Sequence, residues 1–251
     1  MWNVVNSVST FAIDAVAGNI EGVTVINKFG KNAAVASTIE TVWDQGGMYT
    51  TPASDNVSLS ISTDDNANTH EMTVIGLDAS FVEQTKTVTL AGETKTAIDG
   101  TWARVFRAYN SSATSSAASS VIYIYDTATA TVTAGVPQTA TKIHAVVQAA
   151  EEQTLMAVYT IPANKTGYMC SVYGMSTTPA AAEFEIHISA RESGGVYRTL
   201  HDAHITQVPQ HQYTFALPLK LAAKTDIEVR AACSTGSRVV SAGFTIINIP
   251  T

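Results

Sequence analysis

Apolar and small polar residues alternate along most of this 251-residue chain, and short groups of Gly, Asn, Asp or Pro interrupt the alternation. A period of two places successive side chains on opposite faces of a sheet, one face buried and the other in water. The clearest runs are Val57–Ile61, Met72–Val74, Thr85–Leu90, Val121–Tyr125 and Phe184–Ile188. The pattern predicts short antiparallel strands and an all-β fold.

The alternation lapses between Val147 and Leu155, where we place a domain boundary near residue 150. This divides the chain into an N-terminal arm (1–18), a β-sandwich domain (19–150) and a jelly-roll-like β-sandwich domain (151–251). The predicted strands of the first part are Val23–Asn27, Ser37–Trp43, Val57–Ser62, Glu71–Gly76, Glu83–Leu90, Thr101–Tyr109, Val121–Tyr125 and Lys142–Val147. Those of the second part are Leu155–Ile161, Tyr168–Met175, Phe184–Ser189, Tyr197–Ile205, Gln212–Leu217, Ile227–Ala232 and Val239–Ile249.

Several connections carry turn signals. The short polar segment Gly76–Phe81 between two alternating runs predicts a hairpin. Asn27–Gly30 and Asp44–Gly47 are predicted to be turns with positive φ, where glycine has no steric cost. Trp43 and Tyr49 would bracket the second turn and anchor it to the core. The low-complexity segment 110–120 predicts an exposed hairpin loop.

The net charge and the lengths of the apolar runs each exclude one class of partner. Only 14% of residues are charged, against about 25% in typical domains, and a surface so poor in charge suits strands that pack on other protein copies. The net charge of −7 is the wrong sign for binding a phosphate backbone, so we expect no nucleic-acid partner. We also expect no membrane partner, because no apolar run approaches about 20 residues. The first residues lack the positive region of a signal peptide, which indicates that the chain stays in the cytosol where it is made.

The N-terminal arm is apolar, and such a segment must bury itself. It contains Trp2, Val4, Val5, Val8 and Phe11. It could pack on a neighbouring subunit or on its own chain, and the sequence does not decide between the two.

No arrangement of residues predicts a catalytic, metal or cofactor site. His201 and His204 are three apart on a predicted strand, where such positions point to opposite faces and cannot share a metal. The oxygen-rich stretch Asp64–Asn68 lacks the Gly and the terminal Glu of a calcium loop, so a solvated turn is the better interpretation. Cys170 and Cys233 lack zinc-site spacing and are interpreted as small buried side chains rather than a disulfide.

Four aromatic residues are candidates for a glycan-binding or subunit-contact surface: Trp43, Trp102, Tyr123 and Tyr125. Tyr123 and Tyr125 share one face of their predicted strand. The alternative is that these rings fill the core.

Two groups of motifs resemble segments of virion structural proteins of tailed bacteriophages, often marine ones. The first group is Asn27–Asn32 with Glu40–Tyr49, and the second is Thr160–Tyr168, Gly194–Arg198, His211–Tyr213, Leu221–Arg230 and Ser241–Phe244. With the strands between them, the resemblance spans most of residues 23–249. It implies a non-enzymatic component of the virus particle, assembled in the cytoplasm of the host bacterium.

We therefore expect a homo-oligomer, a trimer attached to the tail or neck of the virion, whose partners are copies of itself and other virion proteins. Its apolar strand faces and N-terminal arm would be buried between chains. Decoration of the capsid, through contact with the major capsid protein, is the close alternative. A host-glycan-binding module is a second alternative, and a glycan depolymerase is the least favoured because no long β-helical repeat is present.

Overall fold

The computed structural model describes residues 11, 13–112, 120–128, 131–177, 183–206 and 210–251. The all-β prediction is confirmed, because antiparallel strands dominate the described residues, where only a helical turn at 11 and 13–16 and one 3-10 turn accompany them. Most of the predicted N-terminal arm and of the low-complexity loop lies outside the described residues. Across the described ranges, no helix combines the length and the apolar character needed to span a bilayer.

The strands are β1 (Thr24–Val35), β2 (Glu40–Thr41), β3 (Val57–Thr63), β4 (Glu71–Leu77), β5 (Glu83–Thr89), β6 (Thr96–Trp102), β7 (Arg104–Asn110), β8 (Ile122–Asp126), β9 (Val132–Thr133), β10 (Val136–Pro137), β11 (Ile143–Val147), β12 (Val158–Thr160), β13 (Lys165–Ser176), β14 (Phe184–Arg191), β15 (Arg198–Ile205), β16 (Gln210–Leu221), β17 (Asp226–Cys233) and β18 (Arg238–Pro250). The 3-10 turn Ala140–Lys142 precedes β11. The predicted strand Thr101–Tyr109 is two strands in the structure, because β6 ends at Trp102 and β7 begins at Arg104 after the single residue Ala103.

Two sheets form a first sandwich from the middle of the chain. The four-stranded sheet has the order β11-β8-β3-β6, and the three-stranded sheet has the order β5-β4-β7. Their facing side chains share one core, which includes Leu59 and Ile124 from one sheet and Val74 from the other. The predicted hairpin connects β4 and β5, where Asp78 accepts backbone hydrogen bonds from Ser80 and Val82.

Two further sheets form a second sandwich. One sheet has the order β1-β18-β13-β16, and the other has the order β12-β17-β14-β15, with β2 paired to β17. Alternate residues of these strands face inward, and Phe184, Ile188, Val229 and Phe244 are fully buried in their common core.

The sheets do not follow the predicted division of the chain at residue 150. β1 and β2 precede the first sandwich in sequence, yet β1 pairs with β18 over most of its length and β2 pairs with β17. The second sandwich is therefore built from both ends of the described chain. Neighbouring strands in sequence pair only about two-thirds of the time, and alternation alone does not identify a distant partner.

Gly30 lies inside β1, so the predicted turn at Asn27–Gly30 is wrong. The glycine is required for close approach rather than for positive φ. A Cβ atom built on it would lie 2.2 Å from the carbonyl oxygen of Val42 and 2.3 Å from the backbone nitrogen of Ala157. The turn predicted at Asp44–Gly47 is confirmed, with Gly46 and Gly47 at φ 73° and 69°.

A buried ionic network joins the two sandwiches. Asp226, at the start of β17, accepts hydrogen bonds from Arg104 of β7 at 2.8 and 3.0 Å. Thr160 donates to the same carboxylate at 2.7 Å, and Arg191 of β14 reaches it as well. Burial alone would raise the pKa of Asp226, but these hydrogen bonds and the two positive charges hold it below its usual value. The network fixes β7 against β17.

Candidate functional site

The surface that needs explanation is one long side of the second sandwich. β15 is the last strand of one sheet and β16 is the last strand of the other, and both lie on this side. Almost every residue of the two strands is exposed or half-buried, whereas most residues of the neighbouring strands β14 and β17 are buried. We call the surface formed by Val196, β15 and β16 the open side.

Large apolar side chains are exposed on the open side. Leu217 is 84% exposed and Val196 is 71% exposed, and Leu200 and Tyr213 also lie well in solvent. Isolated exposed apolar residues are ordinary on protein surfaces, but a group of them on one surface marks a contact site.

An irregular pairing in β16 makes Leu217 protrude. Thr214 pairs with Ser171 and Leu219 pairs with Met169, so the four residues from Phe215 to Pro218 face the single residue Cys170 on β13. A bulge of this kind at a sheet edge redirects side chains and ends regular pairing. Pro218 has no backbone N–H to offer a neighbouring strand. The open side is therefore built for side-chain packing more than for continuation of the sheet.

A cavity of about 330 Å³ lies where β15 and β16 separate. Apolar side chains form part of its wall, including those of Val196, Leu200, Leu219 and Leu221. Its lining comes from strands of both sheets and also includes the charged residues Glu192, Arg198 and Lys220, so a side chain from another molecule could pack between β15 and β16 there.

A group of stacked rings occupies the other end of the open side. His201 of β15 stacks on Tyr213 of β16 at 4.8 Å between ring centroids, and Phe215 meets Tyr213 edge-on at 5.0 Å. The Nε2 atoms of His201 and His211 are 2.9 Å apart. Burial lowers the pKa of both imidazoles, and for His201 the neighbouring His211 lowers it further.

His204 lies on the opposite face of β15 from His201, as the sequence predicts. His201 is opposite the inward-facing Ile188 of β14, while His204 is opposite Glu185 on the outer face. His204 lies 2.9 Å from Glu183 and 3.4 Å from Glu185. The hydrogen bond that His204 donates to the Glu183 carboxylate, together with the negative charges nearby, raises the pKa of His204.

The four aromatic residues singled out in the sequence do not meet on one surface. Trp102 and Tyr125 are fully buried and Trp43 is 2% exposed, so these rings pack within the chain. Trp43 meets Tyr49 edge-on at 5.0 Å and donates a hydrogen bond to the Gly47 carbonyl, which anchors the glycine turn as predicted. Tyr123 is half-buried.

The remaining candidates have structural surroundings. In the Asp64–Asn68 stretch, Asp65 accepts a hydrogen bond from the Ala67 backbone and Asp64 accepts one from Val121, as in a turn that satisfies its own backbone. Cys170 and Cys233 are free thiols on strands of different sheets.

The structure contains a buried histidine–aspartate pair that the sequence does not predict. His144 of β11 is fully buried, with Nε2 2.8 Å from Asp126 and Nδ1 3.1 Å from the Thr50 carbonyl oxygen. Both ring nitrogens therefore face acceptor oxygens of the chain. The pair fastens the segment at Thr50 to β8 and β11.

Comparisons with known proteins give only distant likeness. No protein-family model matches the chain, and no curated protein is significantly similar to it. Among solved structures, the search returned the infectious bursal disease virus Gt strain, with TM-score 0.26 and 11% identity over 92% of this chain and 73% of that chain. The Gx strain of that virus gave TM-score 0.27 and 11% identity over 90% and 71% of the two chains. The VP2 subviral particle of the same virus gave TM-score 0.25 and 11% identity over 90% and 72%. TM-scores this low do not establish a common fold.

Proposed function

We propose that this chain is a non-enzymatic structural subunit of a virion, and that copies of it associate through the open side. The observation that carries the proposal is that two neighbouring edge strands, with the segment just before β15, leave Leu217, Leu200, Tyr213 and Val196 in solvent. Burying apolar area gains roughly 25 cal/mol per Å², so a partner that covers these side chains is favoured.

A second copy of this chain is the partner that fits best. The open side combines apolar and aromatic side chains with few charges, as do the buried centres of permanent assemblies. The first described residues of the N-terminal segment add to this, because Ile13 is 63% exposed and Val16 is 73% exposed. Both surfaces would lose their contact with water in an oligomer.

The virion assignment rests on the resemblance of the sequence motifs to segments of tailed-phage structural proteins. In this proposal the protein is a trimer at the tail or neck, and decoration of the capsid is the alternative station. Gold-labelled antibodies against this chain, applied to purified virions in the electron microscope, would separate the two. Label at the tail or neck supports the first station, label over the head supports the second, and unlabelled virions refute the virion role.

The absence of enzymatic activity is also part of the proposal. The histidine–acid pair that most resembles part of a catalytic triad is His144 with Asp126, and the second ring nitrogen of His144 faces a carbonyl rather than a serine hydroxyl. Purified protein incubated with host polysaccharide should release no new reducing ends.

Sedimentation equilibrium tests the self-association directly. Leu217→Lys places a charge on the most exposed apolar side chain of the open side and should weaken association at least about 30-fold, the effect of losing a contact worth about 2 kcal/mol. Val82→Lys is the matched control, since Val82 is 47% exposed but lies in the β4–β5 hairpin of the first sandwich. A wild-type monomer at all concentrations, or equal weakening by both variants, would refute the assignment.

A glycan-binding role has one specific observation in its favour. Tyr213 is 44% exposed and its ring is braced by His201 and Phe215, as in the aromatic platforms on which sugars stack. Binding on a glycan array that disappears in Tyr213→Ala would favour this role. An array without signal would refute it and leave the structural role as the only proposal.

A further inference from the structure

Five ionisable side chains with metal-ligand chemistry gather on the outer face of β14 and β15. On β14 and just before it, Glu183, Glu185 and His187 occupy alternate positions and so share a face. On β15, Asp202 lies opposite His187, and His204 lies opposite Glu185. Two antiparallel strands thus bring together residues that are about twenty positions apart in sequence.

The donor atoms have the spacing that a small cation requires. One donor atom from each of Glu183, Glu185 and His204 lies within 4.8 Å of the other two. His204 Nδ1 is 2.9 Å from the Glu183 carboxylate and 3.4 Å from that of Glu185. Tetrahedral Zn²⁺ with bonds of about 2.0–2.1 Å holds its donors roughly 3.3–3.4 Å apart. Small side-chain rotations would bring these three atoms onto one ion.

His187 supplies an independent indication. Its Nε2 atom is buried and has no hydrogen-bond partner, although carboxylate oxygens of Glu185 and Asp202 lie 3.4 and 3.3 Å away. A buried polar atom without a hydrogen bond costs free energy and calls for an explanation. A cation held by the neighbouring carboxylates gives this nitrogen a partner, because neutral imidazole is a ligand for Zn²⁺.

The charge balance points the same way. Three carboxylates face the two imidazoles of this cluster. On the adjoining strand β17, Arg230 lies opposite His187. Arg230 is already engaged by Glu228, to which its Nε donates at 2.9 Å. An added divalent cation would offset the negative charge of the three carboxylates.

We propose that Glu183, Glu185 and His204, with His187 and Asp202 beside them, form a binding site for a divalent transition-metal cation, Zn²⁺ by donor chemistry. Imidazole with carboxylate suits Zn²⁺ better than Ca²⁺ or Mg²⁺, which prefer all-oxygen sites. The ion would tie β14 to the edge strand β15 and stiffen the sheet that carries the open side. The donors lie on the outer face of β14 and β15, opposite to the face of β15 that carries His201, so zinc binding and self-association can be measured separately.

The test is calorimetric titration of Zn²⁺ into untagged protein that has been stripped with EDTA. We expect one ion per chain, and the double variant Glu185→Gln with His204→Gln should weaken binding by at least about tenfold. The matched control is His201→Gln with His211→Gln, which removes the other histidine pair and should leave binding within about twofold. Substituting Co²⁺ should give the intense visible absorption of a four-coordinate ion.

Three outcomes would overturn the proposal: no Zn²⁺ binding by the wild type, unchanged binding by the Glu185/His204 variant, or loss of binding in the His201/His211 control. His204 is half exposed, so the single variant His204→Gln should keep the wild-type circular dichroism spectrum and still weaken binding. Molar mass measured on the same samples distinguishes this proposal from the proposed function, because subunits can associate whether or not zinc binds.

Discussion

Replacing Asp226 by Asn should destabilise the protein more than any surface substitution of the same kind. The Asp226 side chain is 5% exposed and that of Arg104 is 11% exposed, so their ion pair is largely withdrawn from water. The amide loses the negative charge and turns an NH₂ group toward donors of Arg104 and Arg191. Arg104 keeps its contact with Asp55 at 3.0 Å, but both guanidinium groups lose the buried carboxylate that they share.

The expected loss in free energy of unfolding is about 3–5 kcal/mol, the cost of removing one partner of a buried ion pair. For a chain of this size that corresponds to a fall in melting temperature of roughly 6–20 °C. Urea unfolding followed by fluorescence and circular dichroism gives the number. Asp99→Asn is the matched control, because Asp99 pairs with Lys86 at 3.1 Å but is 85% exposed, and it should change stability little.

The pH dependence provides a second readout of the same substitution. The pKa of Asp226 is lower in the folded protein than its ordinary value of 3.8. Its contribution to stability is therefore fully present above about pH 4 and is lost as the pH falls from there through the folded pKa. The difference in free energy of unfolding between wild type and Asp226→Asn should be constant near neutral pH and should become smaller below pH 4. A variant as stable as wild type, or a difference that grows in acid, would refute this account of the network.

Three further substitutions test the fold and its buried groups. Gly30→Ala should lower the free energy of unfolding by at least about 1–3 kcal/mol, since the added methyl group meets the backbone of Val42 at 2.2 Å, and Asn27→Ala at an exposed position of the same strand should do less. Trp102→Ala should cost about 3–5 kcal/mol in thermal or urea unfolding because the ring is fully buried, whereas a small loss would place the ring outside the core. For Lys28, burial first and the charge of Arg107 second lower the pKa from 10.5 to about 7, so the unfolded chain binds the extra proton between these values. Wild-type stability should therefore rise relative to Lys28→Met as the pH increases from about 7 to 10, and parallel pH profiles would contradict the assignment.

Strand positions could be predicted from the sequence because alternation is a local property. The alternating runs Phe184–Ile188 and Val121–Tyr125 correspond to β14 and β8, because alternate side chains are buried on one face of the sheet. The pairing of β1 with β18 joins the two ends of the chain, and nothing within residues 24–35 identifies that partner. Gly30 was interpreted as a turn because a glycine required for close backbone contact has the same sequence signature as one required for positive φ.

The candidate surfaces were harder to predict than the strands. Tyr213 lies between polar neighbours as in any half-buried strand, and Leu217 lies in the apolar run Phe215–Leu219 that would suit a core strand. Only the position of β16 at the sheet edge leaves both side chains in solvent. The sequence shows that Glu185 and His187 are two positions apart, as are Asp202 and His204, so that each pair shares one face of its strand. The β14–β15 register is what brings them together. Trp102 and Tyr125 were candidates because aromatic rings serve equally well in cores and at contacts, and their burial appears only in three dimensions.

Site-specific photo-crosslinking tests the central claim most directly. A photoreactive amino acid at position 217, and in a parallel sample at position 82, is activated in the full-length protein at a concentration where the wild type is assembled. Contact between copies through the open side predicts a product of twice the 26.5 kDa chain mass from position 217 and almost none from position 82. Equal yields from both positions, or no copy-to-copy product from position 217, would contradict it.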